Sequence, residues 1–361
     1  MQIGIAPLRR LVSAIFTQAG CDLAEGDRIA LYLGNANLTG HDSHGVIRVP
    51  RYVEYLRAGK VKAGQALTVL TENDVLAVLD GNFGFGQTVG PLAVRYGIDK
   101  AARNGVALIA LRNAGHLGRI GEWAEMAAAG GLVSVHFVNV AGSLLVAPFG
   151  GVGRRMSTAP FAAGVPIAGR PPMILDFATS VVAEGKALVA MNGGKPLPAG
   201  SLIGADGKPT ADPVALYGEV EPGASPDPRN GPGAIRAMGE HKGTGLALLC
   251  ELLAGALTGS GCAGPAGRSV ANGMLSLYMS PEFFASGDDF ADEVATYIDF
   301  FKSAQPADPD GQVLIPGEPE RQRRAERERD GVPLTDEAWR AILGAARGVG
   351  LTRADTDALL A

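Results

Sequence analysis

The chain has 361 residues, more than one small core accommodates, so two or three lobes are expected. It is 47% hydrophobic, 6% aromatic and 19% charged, the balance of a folded soluble protein rather than a disordered one. A net charge of −5 provides no basic field for a nucleic acid. The three cysteines, Cys21, Cys250 and Cys262, are scattered and form no C-x-x-C pair, which argues against a disulfide framework or thiolate zinc site and fits a reducing cytoplasm.

Residues 7–19 read as a helix with Pro7 in its first turn. Arg9 and Arg10 precede only the short apolar run LVSAIF with no A-x-A site after it, so no secretory signal is expected. Asp22 and Glu25 form a D-x-x-E start for a second helix running to about Asn37. LTGHDSHGVIRVPRY (38–52) is a polar turn between that helix and a third, VPRYVEYLRAG. Strand-like TVL and DVLAVLD follow, then GNFGFGQTVG and the helix PLAVRYGIDKAARNG. Gly84, Gly86 and Gly90 sit between strand and helix and imitate a dinucleotide-binding turn. No second βαβ unit with an acidic strand end follows, so a plain glycine turn is the better reading.

GVALIALRN is a strand ending at AGHLGRIGEWAEMAAAGG, which puts His116 just past a strand end, before a helix starting near Arg119. VSVHFVNV and PMILDFA are further strands. The apolar run 131–151 is broken by His136, Asn139 and glycines, so it reads as buried strand and not as a membrane span. TSVVAEGKALVAMNGG is read as a helix capped by Thr179 or Ser180. Residues 193–239, rich in Gly, Pro and Asp, read as surface loops. EHKGTGLALLCELLAGALTG reads as a buried helix with His241 and Lys242 at its start; VANGMLSLYMS is a strand and DDFADEVATYIDFFKS a helix. RQRRAERERD mixes charges at helical spacing, as a solvated face does. Thr335 caps a last helix, TDEAWRAILGAARG. The expected division is 1–75 (helical part contributing to the site), 76–315 (α/β core) and 316–361 (helical segment packing back on the first).

Several polar groups invite chemistry. His41 and His44, three apart, could begin a zinc site, but no third ligand is marked in the sequence, and no metal is expected. The plain alternative has Asp42 and Ser43 capping a helix. A sharper one has Ser43 and His44 reaching a ligand while Arg48 forks onto a carboxylate. His116 lies among Gly115, Gly118 and Gly121, a density that would allow close backbone approach, and a histidine there can exchange a proton near neutral pH. His136, between Val135 and Phe137, reads as a core histidine. Lys242 at an already positive helix start would be relieved by an anion.

GHDSHG with VPRY, RNAGHLGRIGEWAE, VAPFGG, LDFATS with AEGK, EHKG with GLALLCELLAGALTG, and LIPGEPE occur in this order. Together they resemble the type-2 malate/L-lactate dehydrogenase family, closest to its hydroxycarboxylate dehydrogenase B branch, over nearly the whole chain. The resemblance implies an α/β, non-Rossmann fold: a mixed sheet flanked by helices with a helical N-terminal part. It implies NAD or NADP (NAD favoured), a small 2-hydroxy or 2-oxo acid substrate, no nucleic-acid or membrane partner, and a homodimer. On matching positions, His116 would be the acid/base, with Ser43 and His44 beside nicotinamide and substrate, and Arg48 and Thr158 on the substrate. Cofactor contacts would come from His44, Arg119, Ile120, Gly121, Leu175, Asp176, Phe177, Ala178, Thr179, Lys242, Asn272, Glu318, Pro319, Glu320 and Arg321. The chain departs from the family in two places. Ser157, Thr158, Ala159, Pro160 stand where relatives carry G-T-N-P, and a longer Gly/Pro-rich loop, 222–239, precedes EHKG. Cyclic-imine reductases share the family; they tend to carry an acidic residue where Lys186 stands. A relative that binds nicotinamide without turnover is a further alternative.

Overall fold

A computed structural model describes residues 1–191, 193–220, 226–264 and 271–361. Residues 222–225 of the expected loop, Asn192 of an expected helix and Val270 of an expected strand lie outside them. The N-terminal part is helical: α1 (Ile5–Gln18), α2 (Leu23–Leu38) and α3 (Val49–Arg57). Asp22 accepts from the Glu25 amide and caps α2, as its spacing predicts. Glu25 does not turn back to complete a box. It is buried, and its carboxylate accepts from Thr88 Oγ1 and the Gly64 amide, tying α2 to the next lobe.

The main sheet uses β1 (Thr68–Glu72), β2 (Leu76–Asp80), β3 (Val106–Ala114), β4 (Val133–Val140), β5 (Pro160–Ile167), β6 (Arg170–Ala178) and β7 (Asn272–Met279). Their spatial order is β1-β2-β3-β7-β4-β5-β6; only β2 and β3 run parallel, so the sheet is mixed. Helix α4 (Gly86–Asn104) lies on one face, where Met274 and Tyr278 join its apolar residues. Gly273, out of phase with those two, faces the other side, where a Cβ would meet the Ala254 carbonyl at 1.9 Å. That side is covered by α7 (His241–Cys250), which widens into a π-helical stretch over Glu251–Leu257. Between β3 and β4 runs α5 (Gly121–Ala129); α6 (Glu184–Met191) follows β6. The C-terminal part holds α8 (Gly287–Lys302), α9 (Glu318–Asp330), α10 (Asp336–Gly348) and α11 (Arg353–Leu360). Val332, Leu334, Ile342 and Ala346 share one core with Leu8, Phe16 and Leu33 of α1 and α2, and Gln2–Ile3 pairs with Val332–Pro333.

Some expectations need correction. Thr179 and Ser180 cap no helix: Thr179 Oγ1 donates to the Thr158 and Ala159 carbonyls, Ser180 Oγ to the Val182 carbonyl, and α6 begins only at Glu184. Thr335 does cap α10, but α11 follows it, with a capping box at Thr352 and Asp355. Residues 193–239 are more than surface loops. Leu202–Ile203, Pro209–Thr210 and Ala234–Arg236 form a small sheet with Val146–Ala147, over a core that includes Leu216 and Tyr217. Helix α7 and its extension are not buried in the chain. Gly243, Ala247 and Cys250 face inward, while Leu248, Leu249, Leu252 and Leu257 are 53, 42, 50 and 64% exposed.

Candidate active site

Between α2 and α3 the backbone makes two short 3-10 turns, Asp42–His44 and Val46–Arg48. The first is not capped by Asp42 or Ser43 side chains. What shapes the segment is Asn37: its Oδ1 accepts from the Val46 amide at 2.8 Å, and its Nδ2 donates to Asp42 Oδ1 at 2.6 Å. The chain passes so close over Asn37 that a Cβ on Gly45 would lie 2.2 Å from Oδ1, so only glycine fits. The Arg48 side chain folds back, Nε donating to the Ser43 carbonyl at 2.5 Å.

His116 arrives from the end of β3, and its ring lies parallel to that of His44, with centroids 5.2 Å apart and planes 10° apart. The glycine-rich turn serves this loop. A Cβ on Gly86 would come within 2.2 Å of the His116 carbonyl oxygen, and Gly90 packs under Trp123 and Leu117. The turn thus makes room for the histidine loop and opens α4. Two residues that sequence reading passed over complete the setting. Tyr52 Oη lies 2.5 Å from His116 Nδ1, and Gln87 Nε2 donates to Tyr52 Oη and to the His116 carbonyl. The available signal was spacing: Arg48 and Tyr52 are four apart at a helix start and share a face.

Burial is the larger cause, and the Arg48 charge the smaller, of a His116 pKa lowered to about 3. His44 lies well below its ordinary value, first through burial and then through the His116, Arg48, His41 and Arg119 charges. Burial pushes the Tyr52 hydroxyl up to about 12, so it keeps its proton. His44 Nδ1 is buried without a hydrogen-bond partner among the described residues. His41 and His44 face different groups, since His41 Nε2 lies 3.5 Å from Glu320 while His44 stacks on His116. Among the described residues no cluster of three or more His, Cys, Asp or Glu side chains could hold a metal.

Several of the other expected residues are engaged within the chain. The Gly121 amide donates to Asp176 Oδ2 at 2.9 Å, joining the start of α5 to the end of β6. The Arg119 side chain is 1% exposed and turned inward, with Glu125 at 2.7 Å, Asp176 at 3.6 Å and Glu122 at 3.8 Å. Ile120 is buried beside it, and α5 starts at Gly121, two residues later than expected. Asn272 is buried; its Oδ1 accepts from the Leu117 amide and its Nδ2 donates to the Asn139 carbonyl, so its amide bridges two backbones. Thr158 is half-buried and held through its carbonyl by Thr179. Ala159 has φ 23°, in the left-handed region, and is fully buried among Val146, Met156 and Val182. Leu175, Asp176, Phe177 and Ala178 are half-buried; Lys242 is exposed, one turn from Met238, whose amide donates to the Thr179 carbonyl. At the start of α9, Glu318 pairs with Lys302 and accepts from the Ile315 amide, Pro319 is exposed, and Arg321 Nη1 donates to the Pro172 carbonyl. A cleft of about 490 Å³ lies here, lined by Thr39, Glu125, Ile174, Glu320, Arg321 and Arg324 among others; neither His44 nor His116 lines it.

The sequence profile of the malate/L-lactate dehydrogenase family matches residues 3–343, so the chain belongs to that family. Its members named as dehydrogenases of hydroxy acids define the class: oxidoreductases of 2-hydroxy acids. The chain is 38% identical, over 95% of its length and 93% of the relative's, to hydroxycarboxylate dehydrogenase B of Escherichia coli (strain K12). The solved sulfolactate dehydrogenase of Methanocaldococcus jannaschii superposes with TM-score 0.84 at 30% identity, covering 98% of this chain and 99% of that one. The Δ1-piperideine-2-carboxylate reductase of Pseudomonas syringae superposes with TM-score 0.78 at 28% identity, covering 96% and 100%. Among the described residues no helix is long and apolar enough to cross a membrane.

Proposed function

We propose that the chain interconverts a small 2-hydroxy acid and its 2-oxo acid by hydride transfer with a nicotinamide cofactor, NAD more than NADP, and that His116 is the acid/base. The observation that carries this reading is the His44–His116 stack beside Arg48, with His116 Nδ1 taken by Tyr52. Nε2 is then the nitrogen left to serve a substrate oxygen. A bound nicotinamide would supply the hydride donor or acceptor. The buried, unpartnered His44 Nδ1 and the half-buried end of β6 fit such a group. His44, residues 119–121, 175–179, Lys242, Asn272 and residues 318–321 would border it. Of these, Asn272 and Glu318 would act mainly by holding backbone and Arg119 by holding the carboxylates around it, because their side chains are engaged within the chain.

Arg48 would fork onto the substrate carboxylate and, with Ser43 and Thr158, set the carbonyl toward His116. This has an electrostatic consequence. A carboxylate on Arg48 cancels the cation that disfavours a proton on His116, so substrate binding raises the proton affinity of the group that must deliver one. The Tyr52 hydroxyl oxygen would accept from Nδ1–H both in the charged ring and in the neutral tautomer whose Nε2 lone pair takes the proton, which keeps the exchange at Nε2.

We further propose a homodimer in a soluble, cytoplasmic setting. The four exposed leucines of α7 and its extension support the dimer, since such a patch on a free surface would be costly. The deciding assay follows reduced-nicotinamide absorbance with pyruvate, oxaloacetate, 2-oxoglutarate, phenylpyruvate and Δ1-piperideine-2-carboxylate, each with NADH and NADPH. Oxidation by a 2-oxo acid, lost in His116→Ala, supports the proposal. Oxidation with the cyclic imine alone moves the chain to the reductase reading, which the exposed Lys186 disfavours. Cofactor binding without any turnover would leave a non-catalytic relative.

A further inference from the structure

Helix α9 grips the segment that carries Ser43 and His44, and it does so with one face. Glu320, Arg323 and Arg327, at i, i+3 and i+7, meet three successive residues. Glu320 lies 3.5 Å from His41 Nε2. The Arg323 stem runs so close to Gly40 (φ +85°) that a Cβ there would meet Cγ at 3.1 Å. Arg327 binds Asp42 through both guanidinium nitrogens, Nη1 to Oδ1 at 2.6 Å and Nη2 to Oδ2 at 3.0 Å, and Nη1 also donates to the Asn37 carbonyl. The Arg327 side chain is only 11% exposed. Asp42 in turn holds Asn37, the residue over which the 42–46 backbone is wound. A helix whose composition is that of a solvated face thus supplies a two-pronged arginine clamp, aimed at the residue two before His44.

Resting on the dehydrogenase reading above, we propose that Arg327 is a positioning residue for the reaction. Through Asp42 it fixes the 41–48 segment in the register that places His44 against His116. Because residues 318–321 of the same helix border the proposed nucleotide position, α9 links the two ends of the site as one rigid rod. The guanidinium fork is what matters, since only a planar double donor can hold both carboxylate oxygens and the Asn37 carbonyl together.

The test uses the full-length protein with four single variants, Arg327→Met, Arg327→Lys, Asp42→Asn and, as a control, Arg329→Met, together with the Asp42→Asn/Arg327→Met double variant; Arg329 pairs with its exposed neighbour Asp330. A misplacement of about an ångström costs roughly 100-fold in rate, so Arg327→Met should lower kcat by about 10- to 100-fold. Reduced-nicotinamide affinity, read by fluorescence titration, should move less than about threefold. Arg327→Lys should recover part of the loss, the Asp42→Asn/Arg327→Met double variant should be no worse than the poorer single one, and Arg329→Met should match the wild type. Amide hydrogen exchange gives a readout that needs no turnover: peptides spanning 41–48 should exchange faster in Arg327→Met while α4 and β7 stay protected. If the wild type reduces none of the oxo acids yet this exchange pattern appears, the clamp stands and the dehydrogenase reading falls. The clamp is overturned by unchanged exchange at 41–48, by kcat within twofold of wild type, or by multiplicative losses in the double variant.

Discussion

Replacing Tyr52 with phenylalanine separates packing from proton handling at the centre of the site. The ring is 4% exposed and packs against Phe16 and Phe85, with centroids at 6.4 and 6.2 Å. Phenylalanine keeps those contacts and deletes only the oxygen that sits 2.5 Å from His116 Nδ1. The loss in the ground state is one hydrogen bond between neutral groups, about 1 kcal/mol of stability. At the point where His116 bears a proton, the lost partner faces a charge, and the loss rises to about 1.5–3 kcal/mol. At about 1.4 kcal/mol per tenfold, the difference of about 0.5–2 kcal/mol amounts to a fall of roughly 2- to 30-fold in kcat for oxo-acid reduction. Gln87 still holds the His116 carbonyl, so the loop should not move. The assay is kcat and KM at neutral pH, together with a nicotinamide titration. The expected result is a fall in kcat with cofactor affinity intact. A Tyr52→Phe enzyme with wild-type kcat, or one that has lost cofactor binding instead, would refute the reasoning.

Four further outcomes follow from the same geometry. Gly86→Ala sets a methyl 2.2 Å from the His116 carbonyl; it should cost about 1–3 kcal/mol in urea denaturation and reduce kcat at least tenfold. His136, buried between Ser134 and Ser276, has its pKa lowered to about 3 by burial. The unfolded chain therefore takes up a proton near pH ~6.5 that the folded chain refuses until about 3; the stability is whole above pH ~6.5 and drains as pH falls toward 3. At pH 5 that one group removes about 2 kcal/mol, and a His136→Gln protein should show a shallower decline between pH 7 and pH 5. Arg119→Met strands Glu122, Glu125 and Asp176 together, with Glu122 already raised to about 7 by burial and then by Glu125; the loss should be about 3–5 kcal/mol, read as a lower urea midpoint. Leu252→Glu places a charge in the proposed subunit contact, so light scattering should report a shift toward monomer if that contact is real.

The elements with plain periodicity were legible in the sequence: α2 from its D-x-x-E start, β3 and β4 from their apolar runs, and the position of His116 past a strand end. Strand β5 was missed because Pro160, Gly164 and Pro166 interrupt its pattern; its pairing with β4 and β6 outweighs poor propensity. The role of α9 was hidden because charge pattern cannot say whether a polar face meets water or another charge. The leucines of α7 posed the opposite problem: an apolar run reads as buried wherever its cover comes from. Within the site, Arg48 and both histidines were marked by residue type, whereas Tyr52 and Gln87 are ordinary inside helices and gain meaning only from the close approach to His116.

Strand β7 lies at the middle of the main sheet, between β3 and β4, yet it is the last of the seven to be synthesised. On the ribosome, β1–β3 and β4–β6 must therefore wait as two unjoined halves, each with a bare edge, until nearly 280 residues have emerged. Such distant pairing is slow and leaves strand edges open to wrong partners. The same late strand brings Asn272, which pins the Leu117 amide next to His116. Completion of the sheet and anchoring of the histidine loop are thus one event, and a nascent chain stopped short of β7 should present neither to solvent in working form.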